Sequence, residues 1–272
     1  MFSLRKPAGA NVGGGGGLKN EIILAKLEDL NLPLPARAPD GVTITESLQL
    51  KPGKKMHALY VTNKTLEPSH KRVAGSNADC YGYEVGVNGF FPGLGKDILS
   101  FLAQHGDFTG IALLRNFKED GSQVCYMLGT ATSPVELGDA DSKWGKVANE
   151  DKGTTLTFKG VQESPFAIYE GALQVEDAVV VPADATTIAF KENALAQLTT
   201  GTAASATINE ITGMKHGDVI AIAGSGGAYP SKIESDGTFM LKGGQDWTAA
   251  SGALLTLKAF NNMDSDLVFI EQ

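Results

Sequence analysis

Four histidines, two cysteines, an AGSGG segment, a DADSKWGKVANE segment and a run of five glycines are the parts of this sequence that could do chemistry. His57, His70, His105 and His216 show no HExxH or helical-pair spacing for a metal. AGSGG (223–227) lacks the glycine that a nucleophile elbow needs two places before its serine; Ala223 stands there. A Ser-His-Asp set would assemble from distant positions, and nothing singles out its members. DADSKWGKVANE puts Asp139, Asp141 and Glu150 at the outer positions of a calcium loop. Lys143 takes the place of an oxygen ligand, and Trp144 that of the turn glycine. Gly13, Gly14, Gly15, Gly16 and Gly17 precede Leu18, Lys19 and Asn20, not the Lys-Ser/Thr of a phosphate loop. Cys80 and Cys125 match no zinc pattern, and carboxylates are too common here to mark a glycosidase pair. The expectation is a protein that is not an enzyme and takes no metal or cofactor.

Chemistry failing, composition bears on the elements instead. The 272 residues carry a net charge of −8, with 10 acidic against 5 basic residues from position 181 onward. Such a surface repels a phosphate backbone. Thirty-three glycines, mostly single and between apolar runs, favour many short strands. Two cysteines make no disulfide framework and are expected as reduced, buried thiols. No apolar run spans a bilayer, and glycines follow Arg5 and Lys6 where a signal peptide would be apolar, so neither membrane insertion nor secretion by that route is expected.

Along the chain, EIILAKLEDL (21–30) is expected as a strand and the proline-bearing 31–41 segment as an extended loop. VTITESLQLK (42–51) alternates, with Val42, Ile44, Glu46, Leu48 and Leu50 on one face, and predicts a hairpin with MHALYVT (56–62). Residues 63–79 read as a polar loop and CYGYEVGVNGFFPG as a strand. GLGKDILSFLAQHG (93–106) predicts a helix with Ile98, Leu99, Phe101 and Leu102 on its apolar face. FTGIALLRNF and SQVCYMLGT predict a second hairpin, and 136–153 a long loop or strand pair around Trp144. TTLTFKGVQ and FAIYEGALQV complete a first module; short strand-like runs without a fixed repeat form a second.

The order of these segments resembles the structural proteins of long-tailed bacteriophages, most closely the tail-tube (major tail) type. The pieces that carry it are the glycine leader before EIILAKLEDL, then GVTITESLQLKPGKKMHALYVT, FFPGLGKDILSFLAQHGDFTGIALL, QVCYMLGTATSPVEL and GTTLTFKGVQESPFAIYEGAL. The resemblance covers roughly residues 1–175. It implies a mainly β fold: a tail-tube-like β-sandwich or barrel with one flanking helix (96–105); beyond it, the C-terminal part resembles the small β-sandwich domains, immunoglobulin-like or otherwise β-rich, that phage virion proteins carry facing outward. The divisions are a Gly-rich arm (1–20), the β domain (21–178) and the C-terminal domain (179–272).

What the resemblance implies in function is self-assembly into stacked homo-oligomeric rings, usually hexamers, whose inner sheets join around a lumen. The partners would be further copies and other phage tail proteins, with genomic DNA passing through unbound and no membrane involved. The 42–62 hairpin and 154–175 would contribute to sheet and lumen, while Gly13–Gly17, Pro33, Pro35, Pro39 and Trp144 would reach neighbouring subunits. A phage head protein (capsid, decoration or connector) and a carbohydrate-binding module remain open beside it.

Overall fold

The computed structural model describes residues 17–74, 81–117, 123–145, 151–262 and 266–272. The fold is mainly β with multiple sheets and a single α-helix among the described residues. The chain divides into two units, Met1–Ile44 with Leu50–Tyr169, and Thr45–Gln49 with Glu170–Gln272.

The first unit contains β1 (Gly17–Lys26), β2 (Thr43–Ile44), β3 (His57–Tyr60), β4 (Glu67–Ala74) and β5 (Tyr81–Pro92). After α1 (Lys96–His105) come β6 (Thr109–Phe117), β7 (Gln123–Leu128), β8 (Val135–Lys143), β9 (Gly153–Gln162) and β10 (Ala167–Tyr169). The strands form two rows, β3-β1-β6-β7-β10-β2 and β8-β9-β5-β4. At one corner the start of β8 pairs with the start of β6, Gly110 opposite Val135, just past the end of β7. At the other rim the Thr62 N–H donates to the Phe90 carbonyl at 2.7 Å.

Between the rows lies a core that includes Ile22, Leu24, Val85, Val87, Leu114 and Leu156. Phe108 and Phe158 meet edge-on, ring centroids 5.6 Å apart, and burial of each ring contributes roughly 1.5–3 kcal/mol. β1 is a continuous apolar run because both its faces are covered: Ile22, Ile23, Leu24 and Ala25 are all fully buried. It approaches β6 so closely that a Cβ on Gly110 would stand 2.1 Å from the Ala25 carbonyl oxygen. Helix α1 turns Ile98, Phe101 and His105 inward, while Leu99, expected on the same face, is half exposed.

Five readings are corrected. The 42–62 hairpin does not form: of its first arm only Thr43–Ile44 is strand, parallel to β10, and its second arm, β3, pairs with β1. Residues 45–49 belong to the second unit, where the Ser47 hydroxyl, expected on the polar face, is buried and accepts from Ala172 N–H and the Thr256 hydroxyl. The polar 63–79 segment holds strand β4 instead of a loop. Gly17, grouped with the glycine arm, opens β1 and pairs with Phe117; Gly13, Gly14, Gly15 and Gly16 lie outside the described residues. FAIYEGALQV is strand only over Ala167–Tyr169, since Glu170 starts the second unit, ahead of the expected boundary at 178.

The second unit runs β11 (Val179–Val181), β12 (Thr187–Ala189), β13 (Leu195–Leu198), β14 (Glu210–Thr212) and β15 (Val219–Ala223). It continues with β16 (Lys232–Ile233), β17 (Phe239–Met240), β18 (Trp247–Thr248), β19 (Leu254–Asn261) and β20 (Leu267–Glu271). Its first five strands alternate between two sheets, β11-β13-β15 in one and β12-β14 in the other, parallel within each. The chain therefore winds as a short coil, and β19 and β20 extend the first sheet. Ile188, Leu198, Ile211, Ile222, Leu257 and Phe269 belong to its core. This mixed pairing departs from the antiparallel sheets of an immunoglobulin-like domain.

Candidate assembly surfaces

The row β8-β9-β5-β4 has one buried and one open face, and sequence alternation decides which residues go where. Along β9, Leu156 and Phe158 are fully buried, whereas Lys159 is exposed and Thr155 and Thr157 are partly so. Residues directly opposite across an antiparallel pair share a face. The registers therefore put Asn88, Gly86 and Glu84 of β5 on the open face with Thr157, Lys159 and Val161. From β4 they add Glu67, Ser69, Lys71 and Val73. From β8 they add Glu136, Asp139, Asp141 and Lys143. Five carboxylates and three ammonium groups stand there among small polar residues. Lys159 Nζ lies 3.1 Å from Asp139, and Lys143 Nζ 3.9 Å from Asp141.

Among the described residues β4 has no second neighbour, and β8 has none beyond its first residues, where Val135 and Glu136 pair with β6. The Phe90 N–H and carbonyl turn toward the β4 side, to the Thr65 hydroxyl and the Thr62 N–H. By strand alternation Asn88, Gly86 and Glu84 then bond β4, so their partners Glu67, Ser69 and Lys71 point inward. Pro68, His70 and Arg72 direct their backbone outward, and the missing N–H of Pro68 falls where no partner strand lies. By the same alternation Asp139, Asp141 and Lys143 bond β9, leaving Ala140 and Ser142 outward. β4 was hidden in the sequence because EPSHKRVA is exposed or half exposed at every position and has no period-two signal.

Trp144 follows β8 and is 68% exposed, with the Lys152 ammonium 5.6 Å from its ring centroid. Pro33 and Pro39 are exposed and Pro35 is half-buried, in a loop without regular structure whose Leu32–Pro33 peptide is cis. No described hydrogen bond or ring contact joins that loop to Trp144.

Cys125 is buried, and burial pushes its thiol up to about 12, so it is a poor nucleophile. His57 is buried with its Nδ1 unpartnered among the described residues, and burial pushes it down to about 4. Among the described residues no group of three or more acidic, His or Cys side chains could hold a metal ion. No helix among them is long and apolar enough to cross a membrane. Comparison of the chain with protein-family models, with curated proteins and with solved structures finds no match.

Proposed function

We propose that this protein is a self-assembling component of a bacteriophage virion, of the tail-tube type, whose copies form stacked rings around a passage for DNA. One observation carries the reading: a four-stranded row with one face in the core and the other polar, net acidic and rich in Ser, Thr, Gly and Asn. A wall of that kind, with its carboxylates outnumbering its ammonium groups, disfavours adhesion of a moving duplex. Helix α1 and the sheet order of the first unit support the resemblance seen in the segments. Genomic DNA would pass unbound, and the partners are further copies and other tail proteins.

In this reading the 154–175 part of the expected lumen wall contributes Thr155, Thr157, Lys159 and Val161 of β9, and the 42–62 part is replaced by β4 and β5. Negative-stain electron microscopy of the purified, concentrated protein tests the proposal. Stacked rings or hollow tubes are expected. Particles that stay small and instead bind isolated phage heads overturn it in favour of a head component.

A further inference from the structure

We infer that two copies of this chain join edge to edge, β4 of one against β8 of the next, in a single register set by charge. The inference rests on the self-assembly reading and adds to it which edges meet and at which residues.

Within one copy β8 and β4 are the two ends of an antiparallel row of four strands, so they run in opposite directions. Placing β4 of one copy beside β8 of another, with the rows running the same way, thus gives an antiparallel pair and continues the sheet. Backbone polarity restricts the register further, because outward-pointing residues must oppose each other. His70 against Ala140 satisfies this with both hydrogen bonds, whereas Pro68 against Ser142 makes one only, because Pro68 has no N–H to donate. The inward-pointing neighbours then oppose as Glu67–Lys143, Ser69–Asp141 and Lys71–Asp139, the closer, non-hydrogen-bonded type of pair.

Both charged pairs in that register are attractive, and all six side chains lie on the polar face. Sliding the strands by two residues one way opposes Glu67 to Asp141. Sliding them the other way leaves Glu67 without a cation and sets Lys143 against Ser69. Glu67 and Lys71 make no ion pair within the described part of their own copy, whereas Asp139 holds Lys159 through one oxygen, Oδ2. The favoured register shifts each copy by about one residue per strand, the stagger with which parallel eight-stranded barrels reach a tilt of ~36°. Charged groups on an open edge guard against indiscriminate pairing; here they admit an edge of opposite sign.

Two single variants in a Cys80→Ser background, Ser69→Cys and Asp141→Cys, are mixed at low salt under mild oxidation. A disulfide between them is expected within the mixed sample and in neither alone, since a non-hydrogen-bonded pair brings Cα atoms to about 4.5 Å. Lys71→Glu, with an unchanged melting temperature as its control for folding, is expected to weaken association at least tenfold by sedimentation velocity.

Tubes that form with neither the cross-link nor sensitivity to Lys71→Glu overturn the register and leave the tail-tube reading standing. Cross-linked, charge-sensitive oligomers without a lumen support the register and overturn the tail-tube reading. A wild-type protein that stays monomeric at every concentration overturns both.

Discussion

Asp139 and Lys159 face each other at 3.1 Å across β8 and β9, one residue along from Phe158, which is fully buried on the other side. Both charged side chains are largely exposed, so their pairing contributes little to the fold, on the order of 0–1 kcal/mol. Asp139→Asn should therefore leave the denaturant midpoint of the monomer nearly unchanged. It should still weaken association measurably, because it removes the partner of Lys71 in the next copy. Equal loss of fold and of association would contradict that separation.

Gly110 gives the opposite case, a position that serves only the fold. A methyl group there would collide with the Ala25 carbonyl at 2.1 Å, and the contact is backbone on backbone. Gly110→Ala should destabilise by roughly 2–4 kcal/mol, as overpacking at a rigid site does. Thermal unfolding of the variant reads this directly.

His57 makes stability depend on pH. Its imidazole is held neutral by burial, pushed down to about 4 from the ordinary 6.5. The folded state thus binds fewer protons than the unfolded one between these values, so stability is full above about 6.5 and falls as pH drops toward 4. His57→Leu should flatten the decline measured by denaturant titration from pH 7 to 4.5.

The buried Arg115 donates through Nε to Glu21 Oε1 at 2.7 Å, tying β6 to β1 beside the bulge in β1. Arg115→Ala should cost about 1.5–3 kcal/mol, because it removes the bonded guanidinium and leaves Glu21 only the more exposed Lys19, 3.5 Å away. The joint change Arg115→Met with Glu21→Gln should cost distinctly less, a difference that a double-mutant cycle measures.

Deletion of residues 1–16 stops short of β1, whose first residue is Gly17. The proposed assembly role of the glycine segment predicts a truncated protein with the same melting temperature that no longer polymerises. Trp144→Ala should likewise spare the monomer, shifting stability by no more than ~0.5 kcal/mol, and slow assembly followed by light scattering.

Much of the first unit was legible where burial is one-sided or complete. TTLTFKG shows its two faces by plain alternation, and EIILA its double burial by an unbroken apolar run. The α1 segment announced itself through Ile98 and Phe101. Legibility failed where another part of the chain decides. VTITESLQLK alternates like a strand, yet residues 45–49 are taken into the second unit and Ser47 is buried there. β4 carries no hydrophobic signal because its cover is slight: Pro68 and Val73 are only half-buried, and the face opposite the polar one meets Phe166 through the ring of His70. The coil of the second unit showed no period because its turns differ in length: Val179 pairs with Ala196, but Leu195 with Ala221. Of the candidate surfaces, Trp144 could be picked out by residue type, whereas the two open edges exist only through pairing.

The central claim is that the polar face of β5 and β9 lines an enclosed passage, and size-selective labelling tests it most directly. Asn88→Cys sits on that exposed face, and Glu210→Cys, exposed in the second unit, is the control. In assembled protein a small maleimide should modify both cysteines, while a maleimide carried on a large polymer should modify only the Glu210→Cys variant. If the polymer reagent reaches Asn88→Cys as readily as the control, the polar face lies on the outside and the claim is wrong.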